Sequence, residues 1–451
     1  MTLWHIYGEM IMLLIELLMK EITKEEYIKY KKQLNTAMQI PLEELFCILD
    51  NKIANYNMVV VENRNITMIA LPTSGCPHRI HCDGFYGCSM CNYNASTILE
   101  LANMEALKKR SPEFYGMLIE KYLLKARSSL KKLSAVELIT GYDCLNSEEI
   151  PDQVFHNYIE SKEVLRRKVR PIVSIFETRV TSVNEDKILG WKKNLGKKVV
   201  VEFGVEVSHD WIRNHWINKS AGRQAVIKAI EIIHETGCEA SGNILIGIPG
   251  CTEEQSIQLF IKSAEWLYEI GCDHILCSAL CRKDFTMQYF LYETGEKNEF
   301  LRKSGLYNGE HTCIPYIFTT MEAICQLIEQ HEEMKDRLAL SPANFSIYYS
   351  QLKMIRFLDK DKIIIQRGIE ALKCFSESLD VKELRVCLEE MKDSNLYKEY
   401  ADLLNRQRMA GDIKETLYHV AKACIEECYP ATVAGKIKLL DNEMSLFEQV
   451  I

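Results

Sequence analysis

Apolar positions recur along the chain with two different periods, and the change of period divides it. Over residues 1–60 the spacing is helical, as in Leu42, Leu45, Phe46 and Leu49, which sets an apolar stripe on one side of a helix. From Ile66 onward the texture changes to short runs that are apolar or β-branched throughout: Ile66–Leu71, Ala135–Thr140, Pro171–Phe176, Val199–Val207, Gly242–Ile248 and His274–Leu280. Strands buried on both faces read this way. Most of the gaps between them hold amphipathic stretches of helix length, such as Met104–Leu130 and Gly222–Thr236, and parallel pairing needs such crossovers. Six βα units in succession predict an α/β chain built on a partial (β/α)6 TIM-like barrel. Beyond about residue 300 the strand-like runs stop and helical patterns follow: Met321–Leu338, Lys362–Phe375, Lys414–Cys428 and Ala434–Phe447. The expected division is an N-terminal helical segment (1–60), a barrel core (61–304) and a helical C-terminal domain (305–451), with the last boundary near the Gly305–Gly309 turn.

The chain has 451 residues, 47% of them hydrophobic and 26% charged, with a formal net charge of -8. That is room for one large α/β unit with appendages, and no global positive field draws it to nucleic acid or anionic lipid. The apolar start, Ile6 to Met19, carries Glu9 and Glu16, lacks a basic leader and is too short to cross a bilayer. It is expected to be an amphipathic helix packed on the body, which leaves the cytoplasm as the default compartment. The 17 cysteines are then reduced thiols rather than a disulfide framework, because disulfide scaffolds are short, loop-rich and secreted.

Four of those thiols crowd into Cys76-Pro-His-Arg-Ile-His-Cys82-Asp-Gly-Phe-Tyr-Gly-Cys88-Ser-Met-Cys91, directly after the first barrel strand. Thiolates gathered on one loop in a reducing compartment suit a soft metal site. Zinc wants four protein ligands, usually in close pairs, and only Cys88-x2-Cys91 is such a pair. Three thiolates on an iron–sulfur cluster leave one iron open for a substrate or cosubstrate.

The segment resembles radical S-adenosylmethionine (radical SAM) enzymes, in which the loop after the first strand holds a [4Fe–4S] cluster. Its Cys-x11-Cys-x2-Cys pattern departs from the commonest family spacing, Cys-x3-Cys-x2-Cys. It is similar instead to the long-loop group of the Elongator catalytic subunit and archaeosine synthase. The resemblance covers about residues 64–300, so that 61–304 would be a radical SAM core. It implies Cys76, Cys88 and Cys91 as cluster ligands, with Cys82 spare; the assignment Cys82, Cys88, Cys91 competes with it. Met90 would lie against SAM. Gly141, Tyr142 and Asp143 stand where the family has a Gly-Gly-Glu-like contact to the methionyl amine, although the second Gly is replaced by Tyr142. A plain turn is the alternative there.

The run Val200-Val-Glu-Phe-Gly204-Val-Glu206-Val-Ser208, followed by Asn218-Lys219, is similar to Gly-Leu-Glu-Thr and Asn-Lys-Gly signatures of the same relatives. The resemblance assigns Glu206 and Ser208 to SAM; a salt bridge from Glu206 to Arg179 or Lys219 is the rival. Asn243 and Gly247, on the glycine-bearing fifth strand, would lie beside the adenine. Locally that segment is also a strand ending before a helix capped by Thr252 and Gln255. Cys277-x3-Cys281 and Cys424-x3-Cys428 lack a third close thiolate and read as core residues. The run Arg166–Arg170 reads as a solvated helix end.

The expected protein is therefore an oxygen-sensitive radical SAM enzyme with two cofactors, a [4Fe–4S] cluster and SAM. Its expected partners are a small biosynthetic metabolite as substrate and an electron donor such as flavodoxin or ferredoxin, with no membrane. A tRNA substrate is the alternative that the acidic balance weighs against, and a non-catalytic zinc-stabilised binding protein is the alternative of another class.

Overall fold

The computed structural model describes residues 12–54, 59–61, 66–92, 97–129, 136–152, 154, 173–193, 197–355 and 359–448. The run Arg166–Arg170 and the first part of Ile6–Met19 lie outside them. All six predicted strands form within a few residues of their expected bounds: β2 (Ile66–Ala70), β5 (Val136–Thr140), β6 (Val173–Thr178), β7 (Lys198–Glu206), β8 (Glu239–Ile246) and β9 (His274–Ala279). They pair in parallel and in chain order. A short strand β1 (Val59–Val61) adds antiparallel beside β2, and β10 (Leu338–Leu340) adds parallel beside β9. The partial TIM-like barrel is thus present, with seven parallel strands in an open sheet edged by β1 and β10. The small strands β3 (Ile80–His81) and β4 (Gly84–Phe85) make a separate antiparallel pair.

Two expectations need correction. The strand-like runs do not end near residue 300, because β10 falls inside the stretch read as helical. With three residues between a helix and Pro342, it is too short to show a period. Met104–Leu130 is not one helix but parts of two, Ile98–Arg110 and Pro112–Ser129. Pro112 has no N–H for a continuing helix and pushes Ser111 into extended backbone, where its φ is -151°.

Register fixes which side chains face the interior. Phe176 stacks on Trp191 of the covering helix Glu185–Lys192, with ring centroids 5.3 Å apart. Its neighbours Ile175 and Glu177 therefore point to the opposite, interior side. Pairing carries that face from Thr140 on β5 through Glu177 and Glu202 to Asn243 on β8. The helix Leu14–Ile22 packs with Ile413–Cys428 and Val433–Met444 in a second apolar core, so the two ends of the described chain meet. The Leu14 amide donates to Glu443 Oε1 at 2.7 Å there.

Candidate functional site at the mouth of the half-barrel

The cysteine loop leaves the carboxyl end of β2 through Gly75, whose φ of 95° is a left-handed conformation that glycine adopts without strain. Thr73 donates to Glu149 Oε1 at 2.8 Å, and the Ser74 amide donates to the Tyr115 hydroxyl at 2.9 Å. After Cys76 the chain tightens into a turn, with the Arg79 and Ile80 amides donating to the Cys76 carbonyl at 3.0 and 3.1 Å. The insertion that follows is the β3–β4 hairpin. It is pinned to the N-terminal helices by a buried Arg79–Glu26 ion pair at 2.6 Å and by Phe85 packed edge-on against Tyr27 and Tyr30. Arg79 also donates to the Cys91 carbonyl, so one guanidinium ties the insertion to the closing end of the loop.

Cys82 lies at the hairpin turn, exposed, beside an Asp83–Lys20 ion pair. Cys76, Cys88 and Cys91 are all partly buried. A second clasp comes from the turn after β7. Asn218 Nδ2 donates to the Tyr86 and Gly87 carbonyls at 2.6 and 3.2 Å, His78 Nε2 pairs with the Asn218 carbonyl at 2.6 Å, and the Ser89 amide donates to the Ile217 carbonyl at 2.9 Å. A side chain on Gly87 would run into the Arg79 backbone.

Cations surround Cys88. Arg179 Nη1 lies 3.8 Å from its sulfur, and Arg179 Nη2 donates to the Lys219 carbonyl at 2.5 Å. Burial alone pushes the Cys88 thiol up, but Lys219, His78 and Arg179 together bring it down to about 6. Burial pushes the Cys76 thiol up, and Cys76 and Cys88 are close enough for their charges to interact. A low thiol pKa in a cationic pocket is the environment of a bound thiolate.

The residues assigned to SAM divide into three groups. Glu206, with a φ of 67°, pairs with Lys219 Nζ at 2.9 Å on the open side of Gly204, which is the salt-bridge alternative. Asn243 shares this interior face and donates to Glu202 Oε1 at 2.9 Å. Asp143 is buried with both oxygens engaged: Oδ1 accepts from Thr178 and the Arg179 amide at 2.8 and 2.9 Å, and Oδ2 from Ser182 and Asn146 at 2.6 and 3.1 Å. It therefore ties β5 to β6. Ser208 faces outward, its amide held by Ser263 of the covering helix Glu253–Glu269. Gly247, at φ 98°, turns its Cα face onto Pro315. Tyr142 lines an outer crevice with Leu71 and Met104, and Met90 packs beside the second core while its carbonyl accepts from Gln288. Thr252 and Gln255 do form the expected capping box.

Sequence reasoning passed over Glu149. It is fully buried beneath Gly141, with Oε1 accepting from Thr73 and the Tyr142 amide. Burial pushes its carboxyl up to about 8 against the pull of those two donors. Glu177 and Glu202 were also missed as a pair. They sit opposite each other in register, and burial with mutual repulsion raises the carboxyl of Glu177. The only hint in the sequence was a carboxylate in so apolar a run.

Among the described residues no three His, Cys, Asp or Glu side chains group around a single metal ion, and no helix is long and apolar enough to cross a membrane. Cys76 and Cys88 come close enough for their charges to interact, and Arg179, Lys219 and His78 gather at Cys88, a surround that suits an anionic group.

No family model matches the chain. An uncharacterized protein of Methanocaldococcus jannaschii is 29% identical over 239 residues, which is 53% of this chain and 62% of that protein. The chain thus spans less than two thirds of that relative's length. Among solved structures it is similar to the archaeal Elp3 of Methanocaldococcus infernus, with 14% identity, a TM-score of 0.37 and coverage of 61% of this chain and 56% of that one. It is also similar to TsrM, a radical S-adenosylmethionine methyltransferase of Kitasatospora setae, with 11% identity, a TM-score of 0.38 and coverage of 69% and 63%. A queuine lyase of Clostridium spiroforme bound to SAM and queuine has 18% identity, a TM-score of 0.31 and coverage of 54% and 90%.

Proposed function

We propose that the protein is a radical SAM enzyme whose Cys76, Cys88 and Cys91 hold a [4Fe–4S] cluster at the mouth of the half-barrel and whose substrate is a small biosynthetic metabolite. The observation that carries this reading is Cys88 set between Arg179 and Lys219, on a loop that starts at the carboxyl end of the first parallel strand. Barrel chemistry sits at that end of the strands. When bound and reduced, such a cluster supplies the electron that cleaves SAM to a 5′-deoxyadenosyl radical.

The chain's own residues have distinct tasks. Arg179 and Lys219 offset the negative charge of the thiolates, and Asn218 and Arg79 fix the loop that carries them. Glu206 holds Lys219 in place. An electron donor such as flavodoxin or ferredoxin completes the proposal.

The test is anaerobic: reconstituted protein is incubated with SAM and dithionite, and 5′-deoxyadenosine is measured. About four irons with matching sulfide are expected, together with release of the nucleoside. Full cluster occupancy without release, or one zinc and no sulfide, overturns the reading. A titration of tRNA binding against salt checks the substrate class, since phosphate contacts give a steep slope.

A further inference from the structure

Below the Glu206–Lys219 pair, the interior face carries a layer of acceptors. Glu177 on β6 and Glu202 on β7 are directly opposite in register, close enough for their charges to repel. Two such carboxyl groups keep a proton between them unless a cation joins them. The protein's donors to this pair are Thr140, to Glu177 Oε2, and Asn243 Nδ2, to Glu202 Oε1. Among the described residues neither carboxyl pairs with a lysine or arginine. Lys219 and Arg179 at the mouth are engaged elsewhere, Lys219 with Glu206 and Arg179 with the Lys219 carbonyl and Cys88.

Asn243 Oδ1, an acceptor, is also buried without a donor. A neutral hydroxyl satisfies one or two such groups, whereas an ammonium brings three donors and the positive charge that a carboxylate pair in an apolar surround requires.

We propose that Glu177 and Glu202, with Asn243, form the interior subsite that receives a positively charged amino group of the substrate. This rests on the enzyme reading above and names its substrate class, a small aliphatic amine or amino sugar. An ammonium docked there takes the place of the shared proton, which passes to solvent. Thr140 and Asn243 then orient the two carboxylates toward it.

Titration calorimetry on the full-length, anaerobically reconstituted protein with SAM at saturation tests this. Putrescine and glucosamine are compared with the neutral analogues 1,4-butanediol and glucose. The amines are expected to bind at least about tenfold tighter, and Glu177→Gln and Glu202→Gln are each expected to weaken amine binding about tenfold while SAM affinity and cluster absorption hold. Equal affinity for amines and neutral analogues overturns the proposal, as does binding of neither class. Loss of SAM affinity in the variants with amine binding unchanged also overturns it, by making the layer a SAM subsite. Amine preference without 5′-deoxyadenosine release fails the enzyme reading alone, and release without amine preference fails this inference alone.

Discussion

Cys88 is partly buried and Cys424 fully, and their surroundings drive the two thiols in opposite directions. Cys88 faces Lys219, His78 and Arg179, and its thiol sits near 6. Cys424 lies in the second apolar core with its sulfur 3.7 Å from that of Met287, and burial drives its thiol well above the ordinary range. Cys281 and Cys428 follow Cys424, pushed by burial to about 11 and about 12. Nothing in the thiol distinguishes the two regions. What differs at Cys88 is the cations brought to it, whereas Cys76, on the same loop, is pushed up by burial as Cys424 is.

The comparison breaks most completely at the ligands. Cys76→Ala, Cys88→Ala and Cys91→Ala are each expected to abolish the near-ultraviolet and visible absorption of the reconstituted protein, and SAM cleavage with it. Cys82→Ala, at the exposed hairpin turn, is expected to keep both. The reverse for Cys76 and Cys82 refutes the ligand assignment.

The next effect concerns the clasp. Arg79 and Glu26 are buried together, and Glu26 Oε1 and Arg79 Nε have no other partner. Arg79→Met alone leaves a buried carboxylate and is expected to cost about 3–5 kcal/mol in denaturant unfolding, with a lower yield of cluster. The double variant Arg79→Met/Glu26→Leu is expected to recover most of the stability but not the tie to the Cys91 carbonyl. If stability is recovered and cluster yield with it, Arg79 serves only as a structural anchor.

A control on the other side of the comparison is Cys424→Ala, which removes a sulfur from a packed core and is expected to cost about 1–2 kcal/mol with no spectroscopic change. A change in cluster absorption there contradicts the division between the two sets of thiols.

How much of this was legible depends on how local each feature is. The six strands and the cysteine loop follow from consecutive residues, so period and spacing expose them. Strand β10 has too few residues to carry a period, and the break at Ser111–Pro112 was signalled by the proline but hidden within a longer amphipathic stretch. His78 is on the same loop as Cys88, but Arg179 and Lys219 come from the segments that follow β6 and β7, far from it in sequence, and only the fold brings them together. Asp143 shows what a motif leaves out: besides the ligand contact its place in the chain suggests, it accepts from Thr178 at the end of β6, from Arg179 and Ser182 just beyond it and from Asn146 in its own turn. Glu149 had no signal at all, since nothing nearby in sequence announces that it folds beneath Gly141.

The finest test asks how much of the difference between the thiols comes from one ammonium. Lys219 is the largest of the influences that lower Cys88, and it is held in place by Glu206. In cluster-free protein, Lys219→Met removes that charge while keeping the length of the side chain. The Cys88 thiolate, which forms as pH rises through about 6, should then form only at higher pH. At pH 7 its alkylation by iodoacetamide should slow several-fold, less than the loss of thiolate alone, because a more basic thiolate is also more nucleophilic. The midpoint of the rate against pH must move upward in Lys219→Met and stay in place in Cys424→Ala. An unmoved midpoint would mean that Arg179 and His78 suffice, and that Lys219 serves chiefly to neutralise Glu206.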